Sequence, residues 1–142
     1  LRPFTFFVGK GYGFIKLNPP FCPDLMATAL TVARERNPRS FKGGVYVCTE
    51  GPRDATPAEL RMFRQWGADL VGSALLPETY LARELELHYA AVTMVGDGDL
   101  LGLLRGIVGA CAAKAKATCG CGDTMKFMKE QGVVEEDWRT WL

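Results

Sequence analysis

Short apolar runs rich in β-branched residues alternate along this chain with segments of helical periodicity, and this alternation is the strongest constraint on its fold. Strands are predicted at 45–49, 69–74 and 87–95, and helices at 56–66, from Pro77 onward and at 100–117. Such alternation is typical of parallel strands covered by helices. The sequence therefore predicts an α/β fold, with a three-layer, mainly parallel or mixed sheet flanked by helices.

Further elements are predicted at both ends of this core. A strand at 12–17 precedes a helix at 24–36, and two shorter helical stretches follow at 125–130 and 135–142. A chain of 142 residues fits one domain. Residues 1–142 are accordingly predicted to form a single domain.

The composition excludes several classes of protein. A net charge of +1 favours binding neither to nucleic acid nor to an acidic membrane surface. No apolar stretch is long enough to span a bilayer. Five cysteines without framework spacing suit a reducing compartment, so we expect a cytoplasmic protein. The cysteines are Cys22, Cys48, Cys111, Cys119 and Cys121.

Ligands of parallel sheets bind beyond the carboxyl ends of the strands, and three loops leave those ends, at 50–55, 73–76 and 96–99. In the last loop Asp97 and Asp99 are flanked by glycines, which allow close approach of a ligand. Two such carboxylates could bind a metal, a sugar hydroxyl or a base nitrogen. The alternative is a helix N-cap with a turn aspartate.

The other two loops also leave two interpretations open. Glu50 and Arg53 could bind a ligand or form a structural ion pair with each other. Ser73 could donate its hydroxyl to a ligand or could simply be a small residue between Gly72 and Ala74.

Metal ligation receives little support from the sequence. His88 is the single histidine, and such a residue is more often a surface or core residue than a base. Cys119 and Cys121 could bind a metal, but no second pair of ligands is near them in the sequence, so we predict no metal site.

Several segments together carry a specific likeness to one family, although no single segment would. They run from about residue 2 to 117: Arg2-Pro3, Phe21–Pro23, Thr49–Arg53, Ala58-Glu59, Met62–Asp69, Leu76–Glu84, Tyr89–Met94 and Asp97–Asp99. In combination they resemble the trimeric branch of the methylthioadenosine and purine nucleoside phosphorylase family, in its C-terminal half.

This resemblance implies an enzyme that cleaves a purine nucleoside or methylthioadenosine with inorganic phosphate, giving free purine and a sugar 1-phosphate. No cofactor is implied beyond phosphate as co-substrate. Asp97 would be the catalytic residue, holding the base at N7 and its exocyclic side. The implied substrate-binding residues are Asp97, Gly98, Asp99, Ser73, Ala74, Glu50 and Asp54.

The implied role of Asp97 has a physical rationale. Negative charge builds on the purine as the glycosidic bond breaks, and a proton-sharing carboxyl at N7 stabilises it. A carboxyl that holds its proton at neutral pH needs a desolvated pocket. Asp97 would therefore need such a pocket to play the implied role.

The sequence departs from the family pattern at four positions. Asp54 stands where an aromatic residue stacks on the base, Ser73 replaces a methionine, Ala74 replaces a threonine that contacts phosphate, and Phe14 replaces a histidine. The resemblance also implies an N-terminal half, upstream or on another chain, that supplies phosphate contacts. These departures favour an alternative, a non-catalytic purine-binding or assembly subunit.

Aromatic residues crowd the first 21 positions, more than a free terminus would carry. We expect this segment to pack against another chain or the other half of the fold, in a homotrimer by resemblance. The residues are Phe4, Phe6, Phe7, Phe14 and Phe21.

Overall fold

The computed structural model describes residues 4–9, 14–113 and 118–141. Its elements are α1 (Pro23–Arg36), β1 (Tyr46–Cys48), α2 (Pro57–Gln65), β2 (Leu70–Gly72), α3 (Glu78–Glu84), α4 (Leu100–Ala112) and α5 (Lys126–Glu130), with 3₁₀ helices at Gly120–Asp123 and Trp138–Trp141. None of the described helices is both long and apolar enough to cross a membrane.

The chain divides into two compact units. Unit one comprises the described parts of 1–41 and 77–142, and unit two comprises 42–76. Whether residues 1–142 form a single domain, as the sequence predicts, stays a prediction.

Unit two is a β-α-β arrangement. Strands β1 and β2 are parallel, with Val47 opposite Val71 in the register. Helix α2, which connects them, begins with a capping box, because Thr56 accepts from the Glu59 amide while the Glu59 carboxylate accepts from the Thr56 amide. The chain turns after this helix at Gly67, whose φ of 83° favours glycine. The predicted start and stop of this helix are thus confirmed.

The hydrophobic core of unit one joins the two ends of the chain. Phe7 stacks on Trp138 with ring centroids 5.8 Å apart, and both side chains are buried. Met125, Met128 and Val134 complete this cluster. The expectation that the aromatic N-terminal segment packs against another chain or the other half of the fold is wrong for Phe7, because residues of the C-terminal tail bury it. For Phe4 and Phe14, which are exposed, it stays a prediction.

A buried carboxylate holds the same tail. Glu86 accepts a hydrogen bond from the Met125 amide at 3.2 Å and pairs with Lys129 at 3.5 Å and with Arg139. Only 1% of the Glu86 side chain is exposed, so its charge has to be compensated by these partners. The tail is therefore fixed by polar as well as apolar contacts.

Helix α4 packs against α1 but leaves much of its apolar surface open. A Cβ atom at Gly106 would lie 3.0 Å from the Val32 side chain, so the glycine permits close approach of the two helices. Leu101 and Val108, in contrast, are 69% and 66% exposed. The described residues do not cover this stripe.

Two predicted strands are not found among the described residues. Residues 14–17 of the predicted strand at 12–17 are not a strand, and Tyr12 and Gly13 lie outside the described residues. The predicted strand at 87–95 is also absent. Its composition favours a strand, but a strand needs a hydrogen-bonded neighbour, and no ladder forms here among the described residues.

The predicted C-terminal helices are shorter than the sequence suggests. The last stretch, 135–142, contains only a 3₁₀ turn at Trp138–Trp141. Helix α4 ends at Ala112, and residues 114–117 of the predicted helix lie outside the described part of the chain.

Candidate functional site

Two of the predicted ligand-binding loops meet at the carboxyl ends of β1 and β2. The Thr49 amide donates to the Gly72 carbonyl at 2.8 Å, and the Cys48 thiol donates to the Ala74 carbonyl at 3.1 Å. A Cβ atom at Gly51 would lie 3.2 Å from Cβ of Ser73. The segments that carry Glu50 and Ser73 are therefore adjacent, as expected for parallel strands.

The loop after β1 is held by an ion pair. Arg53 donates two hydrogen bonds to the Glu59 carboxylate, at 2.9 and 2.7 Å, and a third to the Asp54 carbonyl at 3.0 Å. Hydrogen bonds from Arg53 and then from Thr56 lower the pKa of Glu59 to about 2. The bond to Glu59 and its charge raise the pKa of Arg53. The open alternative for Arg53 is thus resolved as a structural pair, with Glu59 rather than with Glu50.

The predicted substrate-binding residues of this region all face solvent. Glu50, Asp54, Ser73 and Ala74 are exposed. Ala74 contributes its carbonyl oxygen, which accepts from Cys48, and its methyl group cannot replace a hydroxyl toward phosphate. At the carboxyl ends of β1 and β2, the exposed predicted residues therefore provide carboxylates and the Ser73 hydroxyl. The Arg53 guanidinium of this loop is paired with Glu59.

The two aspartates of the third loop have different environments. Asp99 caps α4, since its carboxylate accepts from the Gly102 amide at 2.8 Å. Asp97 is exposed and has no hydrogen bond or ion pair with the described part of the chain. The capping interpretation therefore holds for Asp99, and Asp97 is the carboxylate left to bind a ligand.

The glycine between these aspartates permits close packing. A Cβ atom at Gly98 would lie 2.6 Å from the Met94 sulfur, so a side chain there would displace Met94. The Asp97 side chain is exposed, so the described residues do not supply the desolvated pocket that its implied role needs. The role of Asp97 stays a prediction.

The predicted site residues are divided between the two units. Asp97, Gly98 and Asp99 belong to unit one, whereas Glu50, Asp54, Ser73 and Ala74 belong to unit two. The assignment of these seven residues to a single purine site stays a prediction.

The fold also assembles a cluster that the sequence did not reveal. Cys22, His88, Cys119 and Cys121 place their sulfur and ring nitrogen atoms within 4.8 Å of one another. The argument against metal ligation was that Cys119 and Cys121 lack a second ligand pair, and in the fold Cys22 and His88 supply one. In the sequence, the features that could have indicated this cluster are the Cys-x-Cys pair and the single histidine. They are too far apart along the chain for their spacing to predict that they lie together.

Comparison with known proteins agrees with the α/β fold and the motifs. Residues 2–120 match the Phosphorylase superfamily, so the chain belongs to that family. The S-methyl-5'-thioadenosine phosphorylase of Pyrococcus horikoshii is 43% identical over 70% of this chain and 38% of its own length. The probable 6-oxopurine nucleoside phosphorylase of Moorella thermoacetica is 45% identical over 66% of this chain and 37% of its own.

The Pyrococcus abyssi S-methyl-5'-thioadenosine phosphorylase is 34% identical over 89% of this chain and 57% of its own length. The chain thus spans between about a third and three fifths of these curated relatives. A solved methylthioadenosine phosphorylase from an Antarctic soil metagenomic library shares the fold, with a TM-score of 0.68, 23% identity and coverage of 87% of this chain and 52% of its own. The predicted family and the phosphorylase-type α/β class are confirmed.

Proposed function

We propose that this chain forms the base-facing part of a phosphate-dependent nucleoside phosphorylase that acts on a purine nucleoside or on methylthioadenosine. The relatives matched over two thirds or more of the chain bear the names of such phosphorylases. A Schistosoma purine nucleoside phosphorylase, solved in complex with guanosine, aligns with 77% of this chain at a TM-score of 0.59 and 25% identity.

In the proposed reaction the glycosidic C–N bond breaks and its electron pair goes to the departing purine. Inorganic phosphate forms the new bond to the sugar carbon, giving a sugar 1-phosphate. A carboxyl group of Asp97 at N7 would share a proton with the base and stabilise its developing charge. Enclosure of that carboxyl requires residues beyond those described, because Asp97 is exposed here.

The proposal rests on the different contacts of the two aspartates in the loop before α4. Asp99 is used by the helix, while Asp97 has no partner in the described chain. An exposed carboxylate next to a capped helix, without a partner among the described residues, is available to a ligand without loss of a contact to those residues. The family match over residues 2–120 includes this loop.

The direct test is phosphate-dependent release of adenine or hypoxanthine by the complete protein that the gene encodes. We expect release with phosphate and none without it. Assembly, expected to be a homotrimer, is measured on the same sample by sedimentation. A protein that releases no base from adenosine, inosine or methylthioadenosine would contradict the proposal.

A second function is favoured by the phosphate side of the site. Phosphorolysis needs an anion held near the sugar carbon, by arginines, a histidine or backbone amides. Arg53 is paired with Glu59, and Ala74 offers no hydroxyl. These facts favour a purine-binding or assembly subunit without turnover of its own.

Calorimetry separates the two functions. We expect the 142 residues alone to bind phosphate no better than about millimolar, or about −4 kcal/mol. The complete phosphorylase would bind it more tightly, whereas the non-catalytic subunit would bind purine and not phosphate. Micromolar phosphate affinity of the 142-residue chain would reveal an anion site in it and would contradict the second function.

A further inference from the structure

A compact set of sulfur and nitrogen ligands lies in unit one and includes none of the residues predicted for purine binding. The Cys22 sulfur is 3.4 Å from the Cys119 sulfur and 3.5 Å from Nδ1 of His88, and the Cys119 sulfur is 3.1 Å from the same nitrogen. Cys121 brings the fourth ligand atom to within 4.8 Å of the others. Three sulfurs and one imidazole nitrogen are thus gathered within 4.8 Å of one another.

These separations fit a tetrahedral metal ion. Zinc takes sulfur at about 2.3 Å and nitrogen at about 2.0–2.1 Å, so neighbouring ligands of a tetrahedral site lie roughly 3.5–3.8 Å apart. The three separations among Cys22, Cys119 and His88, at 3.1 to 3.5 Å, are within about half an ångström of those values. The Cys121 sulfur lies within 4.8 Å of the other three atoms. A disulfide needs sulfur atoms about 2.05 Å apart, and all three cysteines are free.

The fold holds the ligands in place through backbone contacts. Cys22 is the N-cap of α1, and its amide donates to the Tyr89 carbonyl at 2.7 Å, which fixes it beside His88. The Asp24 carboxylate accepts from the amides of Thr118 and Cys119, the latter at 3.1 Å. Asp24 thereby positions Cys119 over the start of the helix.

The cluster is partly buried and has a positive charge beside it. Cys22 and Cys121 are buried, whereas His88 is exposed. The Arg83 side chain lies beside Cys121. Arg83 is itself buried, and its Nε and Nη1 atoms have no hydrogen-bond partner among the described residues. Its charge would offset the negative charge of a complex with three thiolates.

We propose that Cys22, His88, Cys119 and Cys121 bind one zinc ion as a structural Cys₃His site. A tetrahedral arrangement of sulfur and nitrogen ligands is typical of zinc. Each thiol releases its proton to solvent when it binds, and neutral His88 binds through Nδ1. Because the four protein ligands complete the coordination, no position is left for substrate. The ion would join the start of α1, the segment after α3 and the C-terminal tail.

The test uses the chain purified under reducing conditions without added chelator, with its metal content measured by plasma mass spectrometry. We expect one zinc per chain. Replacement by cobalt should give the sulfur-to-cobalt charge-transfer bands and the visible bands of a tetrahedral thiolate complex. This spectrum reports the ligands in the unaltered protein, so it does not depend on a variant that folds.

Matched cysteine variants identify the ligands. Cys119→Ser should lose nearly all bound zinc, whereas Cys48→Ser and Cys111→Ser, which lie outside the cluster, should keep it. Circular dichroism of each variant shows whether it is folded. His88→Ala should weaken zinc retention against a chelator at least tenfold.

Three results would overturn the zinc site. The first is a wild-type chain that neither contains zinc nor takes up zinc or cobalt. The second is a disulfide among Cys22, Cys119 and Cys121 in the reduced preparation, detected by mass spectrometry. The third is equal loss of zinc from Cys48→Ser and Cys119→Ser. None of these measurements involves nucleoside turnover, so failure of the zinc site and failure of the phosphorylase proposal are distinguishable.

Discussion

The loop after β1 and the loop before α4 both contain exposed acidic residues, but their charged side chains have different hydrogen-bond partners. In the first, Arg53 is bound to Glu59, and Glu59 is at the same time part of a helix cap. In the second, Asp99 caps α4 and leaves Asp97 without a partner in the described chain. The first loop pairs its guanidinium with a carboxylate of the following helix, whereas the second presents one carboxylate without a partner among the described residues.

This difference shows how to separate structural from ligand-binding charges within similar motifs. A charged group with two or three internal hydrogen bonds must give them up before it can bind a ligand. Asp97 gives up none, so it is the better candidate for the purine. The hydrogen-bond partners of a charged residue, and not its residue type, therefore distinguish the two loops as candidates for ligand binding.

The largest effect is expected at Asp97. Asp97→Asn should lower kcat/KM for phosphorolysis by the complete protein on the order of 100-fold or more, because it removes the acid–base group. The melting temperature should stay unchanged, because no internal contact is lost. Steady-state kinetics and thermal unfolding measure the two quantities.

Glu35→Gln is the matched control for that variant, since it also neutralises one exposed carboxylate. It should leave kcat/KM unchanged. If Asp97→Asn keeps full activity, the outward carboxylate is not part of the purine site, and the contrast between the two loops loses its functional meaning.

An intermediate effect is expected at Asp99. Asp99→Ala should lower the free energy of unfolding by about 1 kcal/mol, the usual loss when a helix N-cap is removed. Asp99→Asn should retain most of that stability, because asparagine caps a helix nearly as well. Denaturant titration at neutral pH measures both variants. Loss of activity in a fully stable Asp99→Asn would show that Asp99 also contacts the substrate.

The smallest effect is expected for Glu59, and it concerns the stability of the folded chain at acidic pH. Its pKa is about 2 in the folded chain, against roughly 4.3 in an unfolded chain. Because the pKa of Glu59 is lower in the folded chain than in the unfolded chain, ionised Glu59 stabilises the fold. This stabilisation is complete at pH values above the unfolded-state pKa and is lost as the pH falls through about 2. Salt should weaken the effect, since the pair is exposed.

The measurement compares the wild-type chain with Glu59→Gln by denaturant titration at several pH values between neutral and about 2. The wild type should lose more stability over this range than the variant. Parallel curves would show that the Arg53–Glu59 pair does not stabilise the loop, and the guanidinium would then be free for an anion.

Much of this comparison could be read from the sequence. Thr56 and Glu59 are three residues apart, and Asp99 caps an amide three residues on, so these contacts follow from local geometry. The family motifs likewise located both loops. Whether Arg53 would pair with Glu50 or Glu59 could not be predicted, because both carboxylates are within reach of a flexible side chain.

The sequence by itself determined the family, the α/β class and the ends of α2, because these depend on residue types and on hydrogen bonds that span a few positions. The tertiary structure alone decided that Phe7 is buried, that 87–95 forms no strand among the described residues, and that Cys22 lies beside Cys119, 97 residues away. Each of these outcomes depends on a partner distant in the chain, and local preference does not specify which distant segment that partner will be.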